Sequence, residues 1–202
     1  MEFDKALIAG KLRRWEKYID TFRLPAWENI PDIGLYMEQV LSLLRDYFNY
    51  IPPEMVEEEL ITAAAINNYV RKKIMPEPVR KKYFRIHIAY LIIICLLKQS
   101  LSITMIRRFM PLDMPEEEAR ERYDYYAGLQ HVATENFVEG VRLIAGKILD
   151  HADAPSDAAE DTEDLVVVSV IYGGLARLLA EKLLRLEGKT LADGGSISLE
   201  VT

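Results

Sequence analysis

Residues 61–110 constrain the fold of this chain more than any other part of it. Thr62 is a residue type that caps the start of a helix. Pro76 and Pro78 must end that helix, because proline cannot continue one. Residues 87–99 are then apolar nearly all round, which predicts a helix at the centre of the protein.

The stretch from residue 71 to residue 85 is strongly basic, although the whole chain is acidic. Glu77 is the only acidic residue in it, so the stretch carries +6 in a chain of −7, and the remainder carries −13. Such a local reversal of sign predicts a surface that binds phosphate groups. The basic residues are Arg71, Lys72, Lys73, Arg80, Lys81, Lys82 and Arg85.

Length and composition predict a soluble protein with a substantial core. The chain has 202 residues, half of them hydrophobic, which suits one large domain or two small ones. Its single cysteine, Cys95, excludes an internal disulfide and lies in an apolar run, so we expect a buried thiol. Charged residues interrupt the N-terminal region, and the longest apolar runs, about ten residues, are too short to span a bilayer. We therefore expect a cytoplasmic location and no membrane partner.

Apolar residues recur at three- and four-residue steps along most of the chain, which predicts an all-α protein. Helices are expected over residues 3–22, 35–47 and 116–151. Residues 165–186 also fit a helix; the β-branched run at their start would suit a strand as well, but a helix is favoured. These elements predict N-terminal helices in residues 1–50, a compact module in 51–111, a C-terminal helical hairpin in 112–187 with an acidic solvated linker at 150–164, and a mobile tail in 188–202.

Residues 61–110 resemble the MerR-type winged helix-turn-helix. In that family a polar and aromatic helix, a proline break, a basic wing ending in tyrosine, an apolar helix and a short Ser-capped helix follow one another. The corresponding segments here are residues 62–73, 74–78, 80–83, 87–99 and 102–110. The basic segment is several residues shorter than the family's wing, so the resemblance implies a short or absent β-wing. The C-terminal part also lacks the heptad spacing of the family's dimerisation coiled coil.

More closely, the chain resembles a bacterial family known as domain of unknown function eighteen thirty-six. This resemblance covers roughly residues 24–110 and implies a fold but no established activity. The motifs that carry it are Leu24-Pro25-Ala26-Trp27-Glu28, Pro31-Asp32-Ile33, Leu35-Tyr36-Met37, Ile66-Asn67-Asn68-Tyr69-Val70 and Ala89-Tyr90-Leu91.

The basic segment and the MerR-like resemblance together predict a DNA-binding transcriptional regulator that contacts double-stranded DNA. Asparagine can pair with adenine and arginine with guanine, whereas lysines mostly neutralise phosphates. Tyr69 would fit a core position equally well. The alternatives are a protein-interaction module that keeps this fold without binding DNA, and a small-molecule sensor. The predicted DNA-binding residues are Asn67, Asn68, Tyr69, Arg71, Lys72, Lys73, Arg80, Lys81, Lys82, Tyr83 and Arg85.

No arrangement of residues predicts catalysis, so we expect no enzyme, no catalytic residue and no cofactor. The three histidines, His87, His131 and His151, are far apart in sequence and have no metal-ligand spacing.

Two features of the C-terminal part predict partners. The apolar residues 165–186 are the expected interface of a homodimer. Aromatic residues of the long helix could line a pocket for a small-molecule effector, although ordinary helix packing is the favoured explanation. They are Tyr123, Tyr125, Tyr126 and Phe137.

Overall fold

The protein is all-α, as predicted. The computed structural model describes residues 2–50, 61–190 and 193, and within them it has seven α-helices, one 3₁₀ turn at Trp27–Asn29 and no strand longer than an isolated bridge. The first ten residues of the predicted 51–111 module, and all of the predicted tail beyond 190 except residue 193, lie outside the described residues. The helices are α1 Lys5–Thr21, α2 Met37–Tyr47, α3 Ala63–Arg71, α4 Arg85–Leu97, α5 Ile103–Ile106, α6 Glu116–Ile144 and α7 Thr162–Arg185.

Helix α4 forms the centre of the main core. Its residues from His87 to Cys95 are all buried, which confirms the prediction made from its all-round apolar sequence. Helices α2, α5 and α6 pack against it, and α3 packs against α2. Two tyrosine hydroxyls bond this core to loop segments around it. Tyr90 donates to the carbonyl of Pro111 (2.6 Å), and Tyr123 donates to the carbonyl of Pro25 (2.7 Å).

Helix α3 begins where the sequence predicts. The Thr62 hydroxyl accepts a hydrogen bond from the backbone N–H of Ala65 (3.1 Å), which satisfies one of the free donors of the first turn. Ile66 and Tyr69 point into the core, so the opposite side of the helix faces solvent. The cap and the buried pair fix both the start and the rotation of α3.

A second, smaller core lies at the far end of α6. Ala145, Ile148 and Leu149 pack there with Ala9 of α1 and Leu165 of α7. Residues 145–161 connect α6 to α7, and Ala158 and Ala159 within this connection are buried. The side chain of Asp161 caps α7 at the N–H of Asp164 (2.9 Å).

Helix α7 is exposed along nearly its whole length. Residues 165–186 are helical rather than extended, as favoured from sequence, yet Leu165 is the only buried residue of α7. At its other end Arg108 donates to the carbonyl of Leu184 (2.8 Å). Among the described residues, no helix combines the length and the hydropathy needed to cross a bilayer.

Candidate nucleic-acid interface

The basic segment contains a minimal β-hairpin at residues 79–82. Val79 and Lys82 exchange both backbone hydrogen bonds at 3.0 Å, and the two residues between them, Arg80 and Lys81, have φ angles of 52° and 64°. Two central residues with positive φ are the pattern of a type I′ turn, the tightest connection between antiparallel strands. The segment for which a short or absent wing was predicted therefore contains a two-residue turn with a basic side chain at each central position.

Helix α3 also ends on a lysine in a left-handed conformation. Lys73 has a φ of 53°. The N–H of Lys73 bonds to the carbonyl of Val70 and that of Ile74 to the carbonyl of Tyr69, both at 2.9 Å. This is the Schellman arrangement, in which glycine usually occupies the position of Lys73.

These conformations cost free energy that glycine or asparagine would largely avoid. A left-handed backbone costs an ordinary L-residue about 1–2 kcal/mol. In the described part of the chain four non-glycine residues have positive φ, and three of them, Lys73, Arg80 and Lys81, belong to the basic segment. The fourth is Asp150. The residue types at these turns are therefore poorly explained by backbone preference.

His87 anchors the hairpin to the core. Its Nδ1 accepts from the backbone N–H of Phe84 (3.1 Å), so its Nε2 carries the proton and donates to the carbonyl of Glu77 (2.9 Å). The buried ring thus ties the chain before the turn to the chain after it. The residue following the turn, Tyr83, pairs with Leu35 through two backbone bonds of 2.8 and 2.9 Å.

Two of the seven basic side chains make contacts within the fold at the base of the hairpin. The Arg85 Nε donates to the carbonyl of Ile30 (3.0 Å), and its guanidinium lies 3.9 Å from the carboxylate of Asp32. The Lys82 ammonium lies 5.3 Å from the centre of the Tyr36 ring, a cation–π distance. These contacts position the base of the hairpin.

Gly34 makes room for the hairpin. A Cβ at this residue would lie 2.7 Å from Cδ of Lys82 and 3.1 Å from the ring of Phe84. Neither Gly34 nor His87 was among the residues singled out from the sequence for binding. Only the tertiary contacts reveal that they hold the hairpin in place.

The exposed side of α3 is polar and short. Asn67 and Arg71 are exposed, and the Arg71 guanidinium donates to Oδ1 of the half-buried Asn68 (2.9 Å). Tyr69, predicted either as a core residue or as a phosphate contact, lies in the core at 8% exposure, and Tyr83 is buried at 3%. The two tyrosines therefore support the surface from beneath.

The five other basic residues face solvent, although Arg71 also donates to Asn68. Arg71, Lys72, Lys73, Arg80 and Lys81 are exposed. No carboxylate of residues 2–50, 61–190 or 193 lies within ion-pairing distance of these five or of Lys82. The turn that ends α3 and the hairpin turn are separated by only the six residues 74–79, of which Ile74 and Met75 are buried. The basic segment thus carries exposed positive groups on two turns, and the residues between these turns are held to the core by Ile74 and Met75.

The chain belongs to the family described as Domain of unknown function (DUF1836). The family model matches residues 25–127, just over half of the chain, which confirms the family resemblance found in the sequence. The match runs from the segment before the 3₁₀ turn, through the basic segment and α4, into the first part of α6. No curated protein and no solved structure matches the chain.

Proposed function

We propose that this member of the DUF1836 family is a DNA-binding transcriptional regulator with a MerR-like winged helix-turn-helix. In this proposal α3 is the recognition helix and the turn at residues 79–82 is a minimal wing. The exposed residues Asn67 and Arg71 of α3 would contact base edges, and the cations of the two turns would contact phosphates.

One observation carries the proposal. Lys73, Arg80 and Lys81 adopt strained left-handed conformations on the surface and have no ion-pair partner within the described part of the chain. Folding alone would favour glycine or asparagine at these positions. A polyanionic ligand gives a reason for the basic side chains, because each cation that neutralises a phosphate releases a condensed counterion and so contributes to binding.

The exposed face of α3 is compatible with the same function. An α-helix with its side chains is about 10–12 Å across, so it fits the DNA major groove, which is about 12 Å wide. Ala64 is exposed on the same side as Asn67 and Arg71, at three- and four-residue steps along the helix. A small residue at that position lets the backbone approach a groove wall.

We also propose that the regulator is a homodimer that associates through α7. Nine large apolar side chains of α7 are between 41% and 70% exposed. Seven of them lie on one broad face around Leu175, whereas Val166 and Val170 share the opposite face with Arg177. A second copy presents the same helix, so a symmetric pairing of α7 with α7 covers both surfaces at once. A dimer would also present two copies of α3 to two half-sites.

Salt-dependent binding to duplex DNA tests the main proposal. Binding of a fluorescein-labelled 30-base-pair duplex should weaken steeply between 50 and 300 mM NaCl, with a linear log–log plot. Lys73→Ala should weaken binding and lower the slope by about one per chain, since it removes one of the turn cations that would contact phosphates. Lys11→Ala, an exposed lysine of α1 outside the segment, is the matched control and should leave the slope unchanged. Absence of duplex binding at 50 mM NaCl, together with binding to an acidic protein, would favour the protein-interaction alternative.

Light scattering tests the dimer separately. Leu175→Glu should give a monomer with the helical content of the wild type by circular dichroism, because this side chain is 58% exposed within one chain. Arg177→Glu, two residues along the helix and therefore on another face, should leave the dimer intact. A monomeric wild-type protein at 50 μM would refute the interface.

A further inference from the structure

An apolar cavity of about 720 Å³ lies between α1, α4 and α6. Trp15 and Ile19 of α1 form one wall, Ile93 and Leu97 of α4 a second, and one face of α6 the third. The aromatic rings at its ends are held in edge-to-face pairs, with Trp15 on Phe137 at 5.7 Å between ring centres. A volume of this size lies within the range of pockets that bind small organic ligands.

Gln130 is the polar group of α6 that this cavity leaves without a partner. It is only 9% exposed, it lines the cavity, and its Oε1 has no hydrogen-bond partner among the described residues. The amide orientation follows from Thr134, whose hydroxyl donates to the backbone carbonyl of Gln130 (2.9 Å). That hydroxyl must therefore accept from the Gln130 Nε2 (2.8 Å), which leaves Oε1 as the free acceptor.

We infer that this cavity binds a neutral, flat, largely apolar molecule that carries one N–H or O–H donor. The donor would bond to Oε1 of Gln130, after a small rotation of the soft terminal torsion that brings this enclosed oxygen to the cavity wall. Satisfying a buried acceptor recovers free energy that the empty site loses. This inference is independent of DNA binding.

The lining determines the chemistry of the ligand. The residues that line the cavity include no charged side chain, so an ion would lose its hydration without compensation. Aromatic side chains contribute at both ends. Of the four that the sequence pointed to, Tyr126 and Phe137 line the cavity, whereas Tyr123 is buried in the main core and Tyr125 is exposed. Stacking and edge contacts with these rings favour a planar ligand.

N-phenyl-1-naphthylamine provides a direct test, because it is neutral and planar in part, has one N–H donor, and fluoresces strongly in apolar sites. Its N-methyl derivative has nearly the same shape without the donor. The protein should bind one molecule of each per chain, and the N–H compound more tightly. Gln130→Leu should weaken binding of the N–H compound about tenfold and leave binding of the N-methyl compound unchanged.

Two variants test the location of the site. Ala133→Trp and Ser100→Trp place a large ring in the cavity from opposite walls at exposed positions, and each should abolish fluorescence enhancement with both compounds. Val132→Trp, next to Ala133 but outside the cavity lining, is the matched control and should bind both compounds normally. Circular dichroism verifies that each variant is folded.

Three results would overturn the inference. If Gln130→Leu weakened binding of both compounds equally, Oε1 of Gln130 would not be the acceptor of the ligand's hydrogen bond. Binding that survives both tryptophan variants would place the dye elsewhere on the protein. No dye binding by the wild-type protein, combined with a change from dimer to monomer in Ala133→Trp, would show that a second copy of the chain occupies the groove.

Discussion

Replacing the hairpin tip Arg80-Lys81 by Asn-Gly should stabilise the protein and weaken its binding to DNA. Asn-Gly is the dipeptide that best suits a type I′ turn, because both residues tolerate positive φ. The substitution removes two exposed cations and leaves the two 3.0 Å hydrogen bonds between Val79 and Lys82 in place. Stability and DNA affinity should therefore change in opposite directions.

The expected gain in stability follows from the backbone conformations. With φ angles of 52° and 64°, each tip residue costs about 1–2 kcal/mol relative to a residue without a strained Cβ. Glycine removes the strain, but its larger entropy in the unfolded state cancels about 0.5–1 kcal/mol of the gain. Asparagine relieves only part of the strain. The net gain is about 1 kcal/mol, which corresponds to a rise of about 2–4 °C in Tm for a protein of this size.

The expected loss in affinity follows from counterion release. If each cation neutralises one phosphate, each contributes about 0.9 to the salt slope. At 0.1 M salt, relative to 1 M, that slope is a factor of about eight in affinity per cation. Loss of both cations should therefore weaken binding about 60-fold per chain and lower the slope by nearly two. Urea unfolding followed at 222 nm gives the stability, and fluorescence anisotropy from 50 to 300 mM NaCl gives the slope.

Two further variants separate backbone strain from charge. Arg80→Gln with Lys81→Gln removes the charge and retains the strain, so it should lose affinity without gaining stability. Asp150→Gly changes a left-handed residue with a φ of 57° outside the basic segment, so it should leave DNA affinity unchanged. A stabilised Asn-Gly protein with wild-type affinity and slope would refute the proposed role of the turn, and a destabilised one would refute the strain argument.

Three other predictions follow from single contacts. His87→Leu leaves two backbone groups without their partner, so it should lower the free energy of unfolding in urea by about 2 kcal/mol and weaken DNA binding. The salt slope should stay unchanged, because His87 positions the hairpin and does not itself contact a phosphate. Tyr123→Phe removes a 2.7 Å hydrogen bond and should cost about 1 kcal/mol with no change in DNA affinity; a larger effect on affinity than on stability would contradict this. Burial raises the pKa of Cys95 and of Tyr90 from 9.0 and 10.0 to about 12. These groups ionise more easily in the unfolded chain, so the free energy of unfolding should be at its full value below about pH 9 and should fall as the pH rises toward 12. Urea midpoints from pH 8 to 10.5 measure this loss, and Cys95→Ala should make it smaller.

The features that the sequence predicts correctly depend on local patterns. The cap at Thr62 and the burial of α4 need only the identity of one residue or the spacing of apolar residues within one helix. The same is true of the helix at residues 165–186, where apolar spacing over the whole segment outweighs the β-branched run at its start. These features can be predicted without knowing which distant part of the chain each helix contacts.

The features that the sequence does not predict depend on distant contacts. Arg80-Lys81 is a poor type I′ dipeptide. The turn closes because His87 bonds to Glu77 before it and Phe84 after it, while Leu35 fixes Tyr83. Gln130 lies on the polar-rich helix α6, and only the packing of α1 and α4 against that helix encloses it. In both cases tertiary structure overrides the local preference.

The distribution of charge sets the conditions under which DNA binding can be measured. The chain carries +6 in residues 71–85 and −13 elsewhere, so attraction of the basic segment competes with repulsion of the rest. Screening acts over about 10 Å at 0.1 M salt but over about 30 Å at 0.01 M, a distance comparable to the whole protein. At 0.1 M the duplex responds mainly to the nearest charges, whereas at 0.01 M the acidic remainder also repels it. The counterion-release slope therefore reports on the basic segment only in the upper part of the salt range, and a flattening below about 0.05 M would reflect the acidic body rather than a loss of phosphate contacts.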